Sequence, residues 1–134
     1  MAKIKFKIYD KNRKRLLSGT GYSITGDGEV QTFNSRGLPE GTVNNRHLKS
    51  ILYSGKKDIT GRDIYEGFIV ERIGAVPGDE EITGVVVFDE YSWLIRNDKE
   101  KRAVFLFSET AMDKVIGNIY EDIELAKRIM GDNS

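Results

Sequence analysis

The side chains able to do chemistry are few, and their spacing favours ordinary structural roles. Nucleophilic catalysis needs a Ser or Thr held by a base that is itself oriented. His47 is the only imidazole, and beside Arg46 and Lys49 in a polar stretch it reads as a solvated loop histidine. The acidic groups Asp89-Glu90 and Asp79-Glu80-Glu81 have the residue type for two-carboxylate hydrolysis. They fall at a strand end and in a Pro-Gly loop, where acids are ordinarily solvated. They also lack the alternating carboxylates and terminal Glu of a calcium loop. Gly19-Thr20-Gly21 and Gly26-Asp27-Gly28 are not followed by Lys-Ser/Thr and open no helix, so they read as hairpin turns and not as a phosphate cradle. The chain has no cysteine, which removes thiol nucleophiles, thiolate metal sites and disulfides together. No catalytic residue, metal site, cofactor or small-molecule substrate is assigned, and the expectation is that the protein is not an enzyme.

Phosphate recognition is the chemistry the residues serve best. Lys3, Lys5 and Lys7 alternate along one strand face, and Lys11, Arg13, Lys14 and Arg15 follow in the next turn. Several such groups on one side form a candidate nucleic acid interface. Lysines on a strand face also guard an edge against pairing. Only Phe6 and Tyr9 interleave with the charges, so no stacking platform is evident. The formal net charge of zero hides an asymmetry: residues 1–62 hold 13 Lys/Arg against 5 Asp/Glu, and residues 63–134 hold 8 against 16. The two halves can neutralise each other inside one domain, supply a local phosphate patch, or drive copies of the chain to associate.

The elements that must position these groups read mostly as strands. At 134 residues, with 39% hydrophobic and 31% charged residues, the chain is one folded domain. No apolar run approaches the ~18 residues of a membrane span, and the N-terminus lacks an apolar signal region. A cytoplasmic location with no membrane partner is expected. Residues 3–9 alternate strictly, with Ile4, Phe6 and Ile8 on one face. Residues 10–14 form a turn, and residues 22–25 and 29–33 flank an Asp-Gly hairpin. Residues 34–46 read as a loop, and 47–53 are ambiguous between helix and strand. Val85 to Phe88, Trp93 to Ile95, Ala103 to Phe107 and Lys114 to Tyr120 continue the strand pattern. From Glu121 the period changes to that of a helix, with Leu125 and Ile129 four apart and Gly131 as its stop. The fold class is mainly β, a small barrel or roll of short antiparallel strands with one C-terminal helix.

Residues 52–70, from Leu52-Tyr53-Ser54-Gly55-Lys56-Lys57-Asp58 through Gly61, Ile64-Tyr65-Glu66-Gly67 and Ile69-Val70, resemble the hallmark of the YopX family of phage and prophage proteins. Val115-Ile116-Gly117-Asn118-Ile119-Tyr120-Glu121 is similar to the block that closes many members, and residues 4–11 resemble the family's start. Ser54 stands where Thr is usual. Phe68 stands where Asp is usual, so no carboxylate follows Gly67 here. The resemblance implies a single domain over 1–134 related to SH3-like barrels. Within it lie N-terminal strands and a loop over 1–50, the hallmark barrel over 51–120 and the helix over 121–131. It also implies carriage by mobile genetic elements and no established biochemical activity.

Physically, the hallmark reads as a folding motif. Asp58 and Gly61 close a turn, Ile64 and Tyr65 enter the core, and Gly67 frees the backbone for the next strand. The alternative is a binding edge of Tyr53, Lys56, Lys57, Arg62 and Tyr65. Leu125, Ile129 and Met130 form a stripe that either caps the domain or meets another subunit. The functional expectation is a non-enzymatic accessory protein that assembles as a homo-oligomer, with a nucleic acid-binding module through the basic N-terminal strand and turn as the alternative.

Overall fold

The structure, a computed structural model, describes residues 5–41, 45–74, 78 and 80–131. Lys3, Ile4 and Asp79 lie outside them. Among the described residues twelve strands and one α-helix follow in order: β1 (Phe6–Asp10), β2 (Arg15–Ser18), β3 (Ser23–Ile24), β4 (Val30–Phe33), β5 (Pro39–Gly41), β6 (Leu48–Lys57), β7 (Asp63–Tyr65), β8 (Phe68–Ile73), β9 (Ile82–Asp89), β10 (Ser92–Asn97), β11 (Arg102–Phe105), β12 (Met112–Asn118) and α1 (Ile123–Met130). They form three antiparallel sheets, ordered β2-β1-β6-β7, β11-β10-β9-β8-β12 and β3-β4-β5. The protein is mainly β. The five-stranded sheet curls into a half-barrel whose edge strands, β11 and β12, do not pair with each other.

Alternation in β1 places Ile8 at zero exposure, across from Ser50 of β6 and Leu17 of β2. The small sheet lies close to this face, where the Ser50 hydroxyl donates to the Gly28 carbonyl at 2.8 Å and Val30 is buried. The opposite face is covered as well: Tyr9 lies 4.7 Å, centroid to centroid, from Tyr120. The four-stranded sheet is therefore packed on both sides.

The apolar runs Phe68-Ile69-Val70 in β8 and Val85-Val86-Val87 in β9 have the same cause. Val70 and Val86 enter the main core with Ile51, Ile64, Phe68 and Ile95, while Ile69 and Val85 turn outward beneath Ala126 and Ile129 of α1. A strand covered on both faces has no polar side to alternate with. Each fully buried Ile or Val contributes about 2 kcal/mol of apolar transfer.

Two expectations change. The stretch 34–46 contains β5, paired with β4, because Asn34 builds the turn between them. Its side-chain oxygen accepts the Arg36 and Leu38 amides at 2.9 and 3.0 Å. Of the ambiguous residues 47–53, all but His47 belong to the ten-residue β6, which lies between β1 and β7.

Candidate functional site

The hallmark segment joins β6, β7 and β8, and its geometry is set by Asp58. Its Oδ1 accepts the Thr60 amide, the Thr60 hydroxyl and the Arg62 amide at 2.8, 2.6 and 2.9 Å, and Oδ2 accepts the Val115 amide at 2.9 Å. Burial works against ionisation of this carboxyl, but the hydrogen bonds outweigh it and hold its pKa at about 2. Ile64 and Tyr65 enter the core, as the folding reading expects. Gly67 has φ +84°, and a Cβ there would stand 2.5 Å from the Tyr120 ring. The two matched blocks, around Gly67 and Tyr120, thus meet in space.

Beside this turn the rings of Tyr53, Tyr65 and Phe68 follow one another at centroid spacings of 5.4 Å each. Lys5 lies over Tyr53 at 5.0 Å and Lys7 over Tyr65 at 5.1 Å, distances at which a cation is attracted to a ring face. Arg62 lies 5.9 Å from the Phe68 ring centre. Asp63 receives Lys57 at 2.7 Å and Lys5 at 3.1 Å. The Lys57 hydrogen bond is the main reason its carboxyl titrates low, and Lys57 is raised in return. Burial raises Tyr65. Tyr53, Tyr65, Lys57 and Arg62 are therefore gathered at one edge, and Lys5 and Lys7 join them. The two lysines are spent on rings and on Asp63, and do not stand out as a free row.

Lys56, expected at that edge, turns inward. A register shift between Tyr53 and Lys57 sends its ammonium to Asp113 at 2.8 Å and to the Leu106 carbonyl at 2.8 Å. Asp113 has no side-chain exposure and is also held by Arg72, from Nε at 2.7 Å and Nη2 at 2.9 Å. Arg72 donates further to the carbonyls of Phe105 and Leu106 at 2.8 and 2.7 Å. Burial opposes the charge on Asp113, yet the two cations keep its pKa below normal. One arginine on β8 thus links both edges of the half-barrel, and Lys56 ties in the other sheet. Arg72 and Asp113 were not among the expected site residues. The signal was present: Arg72 shares parity with Phe68 and Val70, and Asp113 with Val115, so period 2 puts both charges on the apolar face.

The remaining basic residues divide. Arg13 contacts Asp10 at 3.7 Å. Lys11, Lys14 and Arg15 are exposed and have no ion pair among the described residues. Lys11 joins Arg46 and Lys49 around an open hollow of about 630 Å³ that is also lined by Asp27, Glu29 and Ser50. His47 is half-buried in the turn before β6, and its carbonyl accepts the Lys11 amide at 2.8 Å. Asp89 and Glu90 are exposed at the β9–β10 turn, as is Glu80 before β9. Among the described residues no group of three or more His, Asp or Glu is placed to hold a metal ion. No helix among them is long and apolar enough to cross a membrane. The C-terminal stripe is used internally: Ile129 is buried on Ile69 and Val85, Leu125 packs beside it, and only Met130 stays exposed.

The family model described as YopX protein matches residues 5–127. No curated protein matches the chain. Among solved structures, protein yopX from Bacillus subtilis is similar at 20% identity, covering 93% of this chain and 98% of that one with a TM-score of 0.61. Protein EF1440 from Enterococcus faecalis is similar at 19% identity, covering 94% and 99%, with a TM-score of 0.57. At these identities the likeness speaks for the fold, and the match to the family model, from β1 into α1, settles membership: this chain belongs to the YopX protein family.

Proposed function

We propose that the chain is a non-enzymatic accessory binding module of a phage or prophage, working in the host cytoplasm, that assembles with copies of itself through complementary charge. The observation that carries this reading is how little of the charge asymmetry is resolved within one molecule. Among the described residues, the basic and acidic halves are joined by three ion pairs, Lys5–Asp63, Lys57–Asp63 and Lys56–Asp113. Lys11, Lys14, Arg15 and Lys49 stay exposed on one half, and Glu71, Glu81, Glu90 and Glu109 on the other, all without a described ion pair. Surfaces of opposite sign on one small body favour head-to-tail contact. The test is size-exclusion chromatography with light scattering in low salt, recorded at 260 and 280 nm. A mass several times 15.2 kDa with a protein-like absorbance ratio supports the reading. A monomer refutes it.

A second reading is nucleic acid binding. What favours it is the convergence of Lys11, Arg46 and Lys49 on one hollow, which moves the contact from the first strand to the turn after it and the start of β6. Its sign in the same experiment is a monomer that carries nucleic acid absorbance.

A further inference from the structure

The buried cluster of Lys56, Arg72 and Asp113 sets two cations against one carboxylate. A guanidinium has five N–H donors. In Arg72 four are engaged: Nε and one Nη2 hydrogen by Asp113, the other Nη2 hydrogen by Leu106, and one Nη1 hydrogen by Phe105. One hydrogen on Nη1 is left over, on a residue only 5% exposed. Arg72 lines an open hollow of about 310 Å³ whose walls include Val104, Phe105, Phe107 and Ala111. Phe105 and Phe107 are 66% and 54% exposed on either side of fully buried Leu106, a costly arrangement for apolar side chains. Ser108, also in the wall, accepts the Thr110 and Ala111 amides, and its own hydroxyl hydrogen has no acceptor among the described residues.

An unbalanced buried cation with a spare donor, a free hydroxyl and two bare rings around one hollow describe a ligand with an anionic head and an apolar body. We propose that this hollow binds a small monocarboxylic acid bearing an aryl or alkyl group. One carboxylate oxygen accepts the free Arg72 N–H and the Ser108 hydroxyl, and the apolar body lies between Phe105 and Phe107. A planar carboxylate suits a guanidinium better than a spherical anion does. Exposed Glu80 also lines the hollow, and its negative charge restricts the ligand to a single charge of its own. The inference is independent of self-assembly and of the basic hollow, which involve other residues.

The test is a titration of the full chain with 3-phenylpropionate, followed by backbone amide chemical shifts. The neutral 3-phenylpropanamide is the control. The acid is expected to saturate with a millimolar dissociation constant and to move the amides of Ser108, Thr110 and Ala111. The amide control is expected to bind about tenfold more weakly, having lost the charge-assisted bond. F107S, at an exposed position, is expected to weaken the acid about fivefold with the fold intact. Equal binding of acid and amide overturns the proposal. So do shifts confined to residues around Lys11 and Lys49, or no saturable shift at all.

Discussion

The Asp58 carboxylate accepts the Val115 backbone amide at 2.9 Å, joining two residues 57 positions apart in sequence. The turn that follows β6 is thereby fastened to β12, and the Ile59 amide, bonded to the Asp113 carbonyl at 2.9 Å, completes the seam. An edge strand that would otherwise expose its backbone donors and acceptors is covered by the turn between β6 and β7.

Because Asp58 titrates at about 2 in the fold and at 3.8 when unperturbed, the unfolded chain binds more protons between these values. The carboxylate's contribution is complete above about pH 4 and is lost as pH falls towards 2, amounting to about 2 kcal/mol. D58N is expected to be less stable than the parent by about that amount at pH 7, with the gap closing at pH 2. Urea unfolding at several pH values checks both statements.

Gly61 and Gly67 both have positive φ, at +89° and +84°, but differ in what surrounds them. Nothing lies within 4 Å of a Cβ on Gly61, whereas one on Gly67 meets the Tyr120 ring at 2.5 Å. G61A is expected to cost roughly 1–2 kcal/mol, the left-handed backbone term alone. G67A adds the displacement of a buried ring and is expected to cost about 3 kcal/mol or more. Equal losses in thermal unfolding of the two variants contradict this account.

Removing Asp113 strands two cations that have no other ion pair among the described residues, so D113N is expected to lose about 3–5 kcal/mol. K56M leaves the two-bond Arg72–Asp113 pair in place and removes charged hydrogen bonds worth roughly 1.5–3 kcal/mol. The order D113N worse than K56M is the outcome to check by denaturant midpoints. The reverse order places the weight of the seam on Lys56.

If nucleic acid is a ligand, the triple variant K11Q/R46Q/K49Q weakens it and flattens its salt dependence, by about one unit of log–log slope per phosphate contact removed. K5Q/K7Q leaves that slope unchanged, since Lys5 is held by Asp63 and Lys7 lies half-buried over the Tyr65 ring, whereas Lys49 is exposed even though it lies 5.8 Å from the Tyr120 ring centre. Fluorescence anisotropy with a labelled oligonucleotide separates the two. A larger effect from the lysines of β1 returns the interface to the first strand.

Where one face of an element is apolar and local, the sequence was readable. Ile8, the Asp58–Gly61 turn and the Ile129 stripe of α1 follow from period and turn chemistry alone. Lys5, Lys7 and Lys56 were harder, because alternation places a side chain on a face without saying what covers that face. The lysine face of β1 lies over Tyr53 and Tyr65, supplied by strands more than forty residues away. The direction of Lys56 depends on a strand irregularity that side-chain parity does not register, although Gly55, at φ +93°, sits within it. Residue type alone points charged positions to solvent. Arg72 and Asp113 show that parity with Val70 and Val115 was the better guide, since two opposite charges on one apolar face can satisfy each other.

Sedimentation velocity across a salt series tests the central claim, assembly through uncompensated charge, most directly. Charges act over about 30 Å in 0.01 M salt and over about 3 Å in 1 M salt. The account predicts a multiple of 15.2 kDa at the low end that dissolves to the single chain at the high end. A single chain throughout, or an assembly indifferent to salt, contradicts it.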